Sequence, residues 1–476
     1  MKFSYLLAVI SNRMLTLLCV LALSHILSGS EFGTYTVMAI NALLIHTLAG
    51  NWLAMSTTQA LATDSSQDYS VTFARILKAA VGIVILECGI AAVVSALHWF
   101  TNIGIGLDEI AAILAFSVAM LMFDVATAAK NALGDDRDYM RFNLLRNVGG
   151  SIFALAFAWY GGNAAVVLLG QTIGIILAFV FSISALQRWK SGFSAWRKTK
   201  LQLRQWSQML AFGITGTLAL GLLVLVNSLI RNFVFLVDGS QMAGIYSLMS
   251  DLFIAPLVLL ATSYSLSKMR YLYQLPSVET AEQITVYRQF IGAIIFFTIP
   301  YGVAGFLVAP IIATHIAPTD MAATASAIAG LIAAQSATLT IVFTCITILL
   351  TSGQKRKTWL LVAATLFSML VACISGRAMG GGTSFALATL FGSVAAAMAA
   401  VAIVGIQVFP WYKLARIALA SSIMASVMLI TLNGSSPLSA IIGIITGIIA
   451  FFVSAHFLKI TDWRELVPTH GSTIAN

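Results

Sequence analysis

A succession of apolar runs, each of about 20 residues and each closed by a short polar break, constrains this chain more than any other feature of its sequence. A helix rising 1.5 Å per residue needs about 20 such residues to cross roughly 30 Å of hydrocarbon. The runs lie at 5–27, 33–55, 76–98, 109–129, 143–161, 164–186, 208–232, 242–266, 288–312, 322–350, 358–376, 384–408, 412–432 and 438–458. Their sum leaves no stretch of chain long enough for a soluble domain. Composition agrees: 59% of the 476 residues are hydrophobic and 9% are charged, where soluble proteins carry about 25% charged residues. The expected fold class is therefore all-α, a polytopic membrane protein with about 14 transmembrane helices. Met1 and Lys2 lead into the first run without a small-residue cleavage site, so that run is expected to be a retained helix.

Charge fixes an orientation. Apart from Arg13, Arg231 and Arg377, every one of the 26 Lys and Arg residues falls on the same side when the segments alternate. The opposite connections carry Glu31, Asp108, Glu109, Asp238 and Asp320. By the positive-inside rule the basic side is cytoplasmic, and both termini lie there. The formal charge of +9 is thus spent on topology and is no argument for a nucleic-acid partner. The longest polar stretch, 187–208, contains Trp189, Trp196 and Trp206 and no acid, which suits the anionic cytoplasmic leaflet.

Either side of that stretch the sequence repeats. Ser28-Gly29-Ser30-Glu31-Phe32-Gly33-Thr34-Tyr35 follows the first run, and Asp238-Gly239-Ser240-Gln241-Met242-Ala243-Gly244-Ile245-Tyr246 follows the seventh, with one inserted residue. The expected organisation is a six-helix bundle at 1–187, a basic linker at 188–207, a second six-helix bundle at 208–408, and two further helices with a tail at 409–476. Parallel repeats of this kind place a substrate path at their interface.

Ionisable residues inside the apolar runs are the candidate site. Arg13 sits about 15 Å into the first segment, and Arg231 lies in the seventh beside Asn227 and Asn232. Arginine at such depth is costly unless it meets water or a partner, and its planar fork suits a diphosphate. Snorkelling to the headgroups is the competing explanation for both, and the preferred one for Arg377. Glu87, Asp124 and Asp251 are acids in apolar helices, where an unpaired charge costs at least about 2.5 kcal/mol. Lys130 and Arg146 are the expected partners of Asp124. Glu87 and Asp251 have none nearby in sequence, which leaves proton or cation coupling open beside a structural role.

Asn51, with Thr47, is a candidate for a polar wall continued by His46, Trp52 and Gln59. Gln171 and Gln335 fit interhelical hydrogen bonding better than ligand contact. The four cysteines all sit in apolar runs and form no disulfide framework. No nucleotide loop, His-x-x-x-His or Cys-x-x-Cys is present, so no cofactor, metal or enzymatic activity is expected.

Leu21 to Tyr35, LALSHILSGSEFGTY, and Ile230 to Tyr246, IRNFVFLVDGSQMAGIY, resemble the paired signatures of the polysaccharide-transport branch of the multidrug/oligosaccharidyl-lipid/polysaccharide exporter superfamily. The resemblance implies two bundles in a V around a central cavity, in the bacterial inner (plasma) membrane. It implies a flippase that moves undecaprenyl-diphosphate-linked oligosaccharide repeat units to the periplasmic leaflet by alternating access, for surface polysaccharide synthesis. Implied partners are that substrate, membrane lipids, and candidate protein partners in a polysaccharide polymerase and a chain-length regulator. Arg231 falls on the basic residue of the second signature, while Ile230 stands where an acid is often found. Two other readings compete: a cation-coupled multidrug exporter of the same superfamily, and a polysaccharide polymerase or ligase. The arginines argue against the first. The short external loops argue against the second.

Overall fold

The computed structural model describes residues 3–63, 70–101, 106–132, 136–184, 195–196, 199, 203–274, 281–432 and 436–460; in parts of these helices, residues 3–13 among them, the backbone alone is described. Most of the linker expected at 188–207 falls outside them. The described chain is helical throughout: α1 (Phe3–Ile26), α2 (Gly29–Ala49), α3 (Asn51–Thr63), α4 (Ser70–Thr101), α5 (Leu107–Ala132), α6 (Asp136–Trp159), α7 (Ala164–Ser184), α8 (Leu203–Gln274), α9 (Ala281–Ile316), α10 (Ala322–Thr351), α11 (Lys355–Met379), α12 (Gly382–Val404), a 3₁₀ turn at Ile406–Val408, α13 (Trp411–Thr431) and α14 (Pro437–Phe457).

The protein is an all-α polytopic membrane protein, and its helices follow the apolar runs with two differences. The run expected as one helix at 33–55 is two, because α2 stops at Gly50, whose N–H closes on the His46 carbonyl at 2.7 Å, and α3 starts at Asn51. Glycine is where a helix breaks most cheaply. Conversely, the runs at 208–232 and 242–266 have no loop between them. They form the single element α8, interrupted only at Gly239, whose φ of 84° and ψ of 177° lie where side chains are excluded.

Among the described residues, 11 helices are long and apolar enough to cross a bilayer. Helix α6 is not among them; Arg137, Asp138, Arg141 and Arg146 occupy its first half. In α1 the described apolar part is Met14–Ile26.

The chain divides into two compact units, residues 1–247 and 248–476. In the first, α6 packs on α1 and α7, α5 lies on α7, and α2 and α3 both pack on α5. Its apolar core runs through Leu53, Leu61, Phe73, Ile76, Leu121 and Val125. The first part of α8 belongs here as well: a Cβ on Gly213 would meet Trp52, and one on Gly221 would meet Thr47.

In the second unit α10 is the central helix, packed on α9 and α12, while α13 and α14 pair and lean on α9. Most side chains of α10 are buried, Ile328, Ile332, Leu339, Phe343 and Ile346 among them. Polar residues survive there because Thr340, Thr344 and Thr347 donate to carbonyls one turn back in their own helix.

The outer faces are apolar. Ile85, Ile90 and Val93 on α4, Phe367 and Ile374 on α11, and Ile441, Ile445 and Ile449 on α14 are all exposed. In water these rows would be association surfaces; against lipid tails they are the matched surface.

Candidate functional site

Two polar clusters stand out inside the first unit, and both depend on α2. The first joins α2 to α8. Asn41 and Asn232, 191 residues apart, face each other as a reciprocal amide pair: Asn41 Nδ2 donates to Asn232 Oδ1 at 2.9 Å, and Asn232 Nδ2 donates to Asn41 Oδ1 at 2.6 Å. Ser228 Oγ adds a third bond to Asn41 Oδ1 at 3.0 Å. In an apolar setting such interhelical amides lock the facing helices into one register.

Further along the same two helices, the repeated motifs meet each other. The Ser30 and Ser240 hydroxyls are 2.8 Å apart. A Cβ on Gly33 would sit 1.7 Å from the Ser240 carbonyl oxygen, and one on Gly244 would lie 3.1 Å from Gly33 Cα. Glycine is required at this crossing because backbone touches backbone. The equivalent residues of the two motifs therefore form one contact, which their spacing in the sequence does not reveal.

Arg231 lies next to Asn232 on α8 and is 5% exposed. Asn227, one turn earlier on the same face, keeps a buried side-chain oxygen without a hydrogen-bond partner. A guanidinium and an amide oxygen thus lie one turn apart on one face of α8, both buried. Arg13 lies within α1, but its side chain falls outside the described residues. Asn51 opens α3 and is half-buried. Asp251 is half-buried on α8 and belongs to the second unit. Arg377 is exposed in the last turn of α11.

The second cluster is ionic. Asp124 on α5 accepts from His46 Nε2 on α2 at 2.9 Å and lies 3.3 Å from the Arg146 guanidinium on α6. The Arg146 guanidinium also lies over the Phe123 ring, 5.0 Å from its centroid. Lys130, the other expected partner of Asp124, instead pairs with Asp138 at 2.9 Å. Glu87 on α4 is 2% exposed and accepts a hydrogen bond from Ser117 on α5 at 3.1 Å. Among the described residues no group of His, Cys, Asp and Glu could hold a metal ion.

From sequence, His46 belongs to a polar wall, Asn232 is a neighbour of Arg231, Asn41 lies on a mostly apolar face of its helix, and Ser228 has no role. The available signal was their type: a histidine or asparagine within an apolar run needs a partner on another helix. Gln171 does this with the Tyr35 hydroxyl at 2.9 Å, and Gln335 with Thr389 at 3.5 Å.

No family model matches the chain, and no curated protein matches it. Solved structures do. The lipid II flippase MurJ in its inward closed conformation superposes with a TM-score of 0.74 at 14% identity, over 98% of this chain and 100% of that one. An inward-facing multidrug resistance MATE family transporter of the MOP superfamily gives a TM-score of 0.60 at 13% identity, over 85% of this chain and 98% of that one. A MATE protein crystallised with MaL6 gives 0.56 at 13% identity, over 85% and 96%. This chain thus has the fold of the lipid II flippase and of the MATE transporters.

Proposed function

We propose that this protein is a transporter that flips an undecaprenyl-diphosphate-linked oligosaccharide from the cytoplasmic to the periplasmic leaflet of the bacterial inner membrane by alternating access, for surface polysaccharide synthesis. The observation that carries this reading is the extent of the structural likeness. It runs over 98% of this chain and all of the lipid II flippase, whereas the MATE likeness reaches 85%. Arg231, buried within a membrane helix, supplies a cation of the kind a lipid diphosphate requires. No enzymatic step is part of the proposal.

In this reading Arg231 and Arg13 meet the diphosphate at different stages, and the amide groups near Arg231 serve the glycan. Both termini are cytoplasmic, the two repeats are the moving halves, and a polymerase and a chain-length regulator take up the product. The second reading, a cation-coupled multidrug exporter, draws on the MATE likeness and on two acids within membrane helices, the buried Glu87 and the half-buried Asp124.

Deleting the gene and identifying what accumulates separates the two. A flippase leaves a lipid-linked oligosaccharide in the inner leaflet; a drug exporter leaves none and changes drug sensitivity instead. Restoring the gene as Arg231→Ala is expected to abolish export at normal protein abundance, and Arg231→Lys to restore it in part, because lysine lacks the bidentate fork. Full export by Arg231→Ala would remove the arginine from the mechanism.

A further inference from the structure

Three helices of the second unit end together, and their shared end carries charge of one sign. Helices α9 and α14 meet through the Phe296 and Phe451 rings, 5.2 Å apart, and α13 packs on both. At one end of this trio α9 supplies Arg288, α13 supplies Lys413 and Arg416, and Lys459 follows α14. Helices α13 and α14 contain no acidic residue, and the acid of α9, Glu282, lies six positions before Arg288.

Measured contacts join these cations into one notch. A Cβ on Gly292 would lie 3.1 Å from Lys413 Cδ and 3.5 Å from its Nζ, so the lysine stem rests on the α9 backbone where glycine leaves room. Arg288 is one turn before Gly292, about 6 Å along the same face. Its Nε donates to the Gln407 carbonyl at 2.7 Å, which holds the guanidinium and leaves its terminal nitrogens to donate elsewhere. Arg416, three residues after Lys413, lies over the Tyr412 ring, 3.9 Å from its centroid. It donates to the Tyr412 hydroxyl and, at 3.4 Å, to the Lys459 carbonyl. Both arginines are therefore positioned before any ligand arrives, which lowers the cost of binding one.

Lys459 adds an independent signal. Its φ of 50° is the one positive value outside glycine among the described residues. It closes α14, where the Ile460 N–H returns to the Ala455 carbonyl at 3.0 Å. Glycine is the usual occupant of that helix end, because a side chain there is strained. The backbone role needs no side chain, so the strain points to a use for the ammonium. Around the notch Trp411, Tyr412 and Phe457 are exposed, as aromatic rings are at the level of lipid headgroups. Exposed Leu419 on α13 and Val453 on α14 continue the surface as hydrocarbon.

We propose that this notch binds the phosphate headgroup of an anionic glycerophospholipid, with the acyl chains on the apolar surface beside it. Arg288 and Arg416 offer planar forks to the phosphate, and Lys413 and Lys459 add point charges. Basic pockets between membrane helices hold anionic headgroups by this chemistry. A soluble anion would use the cations and leave the apolar surface bare, whereas a phospholipid covers both. The site does not depend on what the protein transports.

The test titrates the full-length protein in detergent with phosphatidylglycerol, phosphatidylcholine or inorganic phosphate. Native mass spectrometry counts bound lipid, and thermal unfolding is followed in parallel. Wild type is expected to bind phosphatidylglycerol in preference to phosphatidylcholine and to be stabilised by it. Arg288→Gln, Lys413→Gln and Arg416→Gln should each weaken that binding about five-fold, the equivalent of about 1 kcal/mol per charge at a lipid surface. Arg141→Gln, which removes an exposed cation of the first unit, should not. Lys459→Gly separates the two roles of its residue. It relieves the backbone, so the lipid-free protein should unfold at a higher temperature, while phosphatidylglycerol binding falls about five-fold. A lysine with only a structural role would give the first change without the second, and that result overturns the site. Equal binding of phosphatidylcholine, equal weakening by Arg141→Gln, or inorganic phosphate protecting as well as phosphatidylglycerol overturns it too.

Discussion

Replacing Gly33 by alanine tests the contact of the two repeated motifs directly. The new methyl carbon would lie 1.7 Å from the Ser240 carbonyl oxygen, 2.5 Å from its carbon and 3.1 Å from the Gly244 nitrogen. A comfortable carbon–oxygen approach is about 3.3 Å or more, so α2 and α8 must separate by roughly 1.5 Å at this point. Neither obstructing atom belongs to a side chain that could swing away. Overpacking of this kind costs about 1–3 kcal/mol. In a chain with cysteines at both serines the Ser30–Ser240 hydrogen bond is already absent, so the overpacking is the whole cost. A cost near 2 kcal/mol corresponds to a shift of about 30-fold in the equilibrium between closed and parted helices. Cysteines at Ser30 and Ser240, in a chain whose four native cysteines are replaced, report that equilibrium, since hydroxyls 2.8 Å apart put two sulfurs within bonding reach. Oxidation should cross-link the pair readily, and adding Gly33→Ala should slow cross-linking about 10-fold or more at unchanged abundance. An unaltered rate would refute the close approach and the role assigned to the motif glycines.

The amide pair offers an energetic check: Asn41→Leu and Asn232→Leu should each lower thermal stability in detergent. Their double-mutant cycle should show a coupling of about 0.6 kcal/mol and no more than about 1.7 kcal/mol; strictly additive losses would mean that the amides do not meet. For topology, single cysteines at Ser30 and Ser436 should react with an impermeant reagent in intact cells and one at Ser194 should not, and labelling at Ser194 would reverse the orientation.

The positions of the helices were legible because a bilayer imposes a one-dimensional rule. A helix must span about 30 Å with its backbone bonds internal, so run length alone marks it. The exceptions fall at glycines. Gly50 splits an uninterrupted apolar run, and Gly239 joins two runs with a single non-helical residue. Hydropathy registers neither, because both are matters of backbone angle and not of transfer free energy. Arg146 could be paired with Asp124 from sequence, since both face the short connection between consecutive helices.

The sequence by itself determined an all-α membrane chain, where most of its membrane helices lie, and which residues in its apolar runs were too polar to be filler. Only the tertiary structure decided what those residues meet. His46 reaches Asp124 across 78 positions, Asn41 reaches Asn232 across 191, and Ser30 reaches Ser240 across 210. Periodicity tells which face of a helix is apolar, but in lipid nearly every face is apolar, so it does not select a neighbour. That selection rests on close backbone approach at glycines such as Gly33 and Gly244 and on a few polar pairs, and both exist only once the helices are packed.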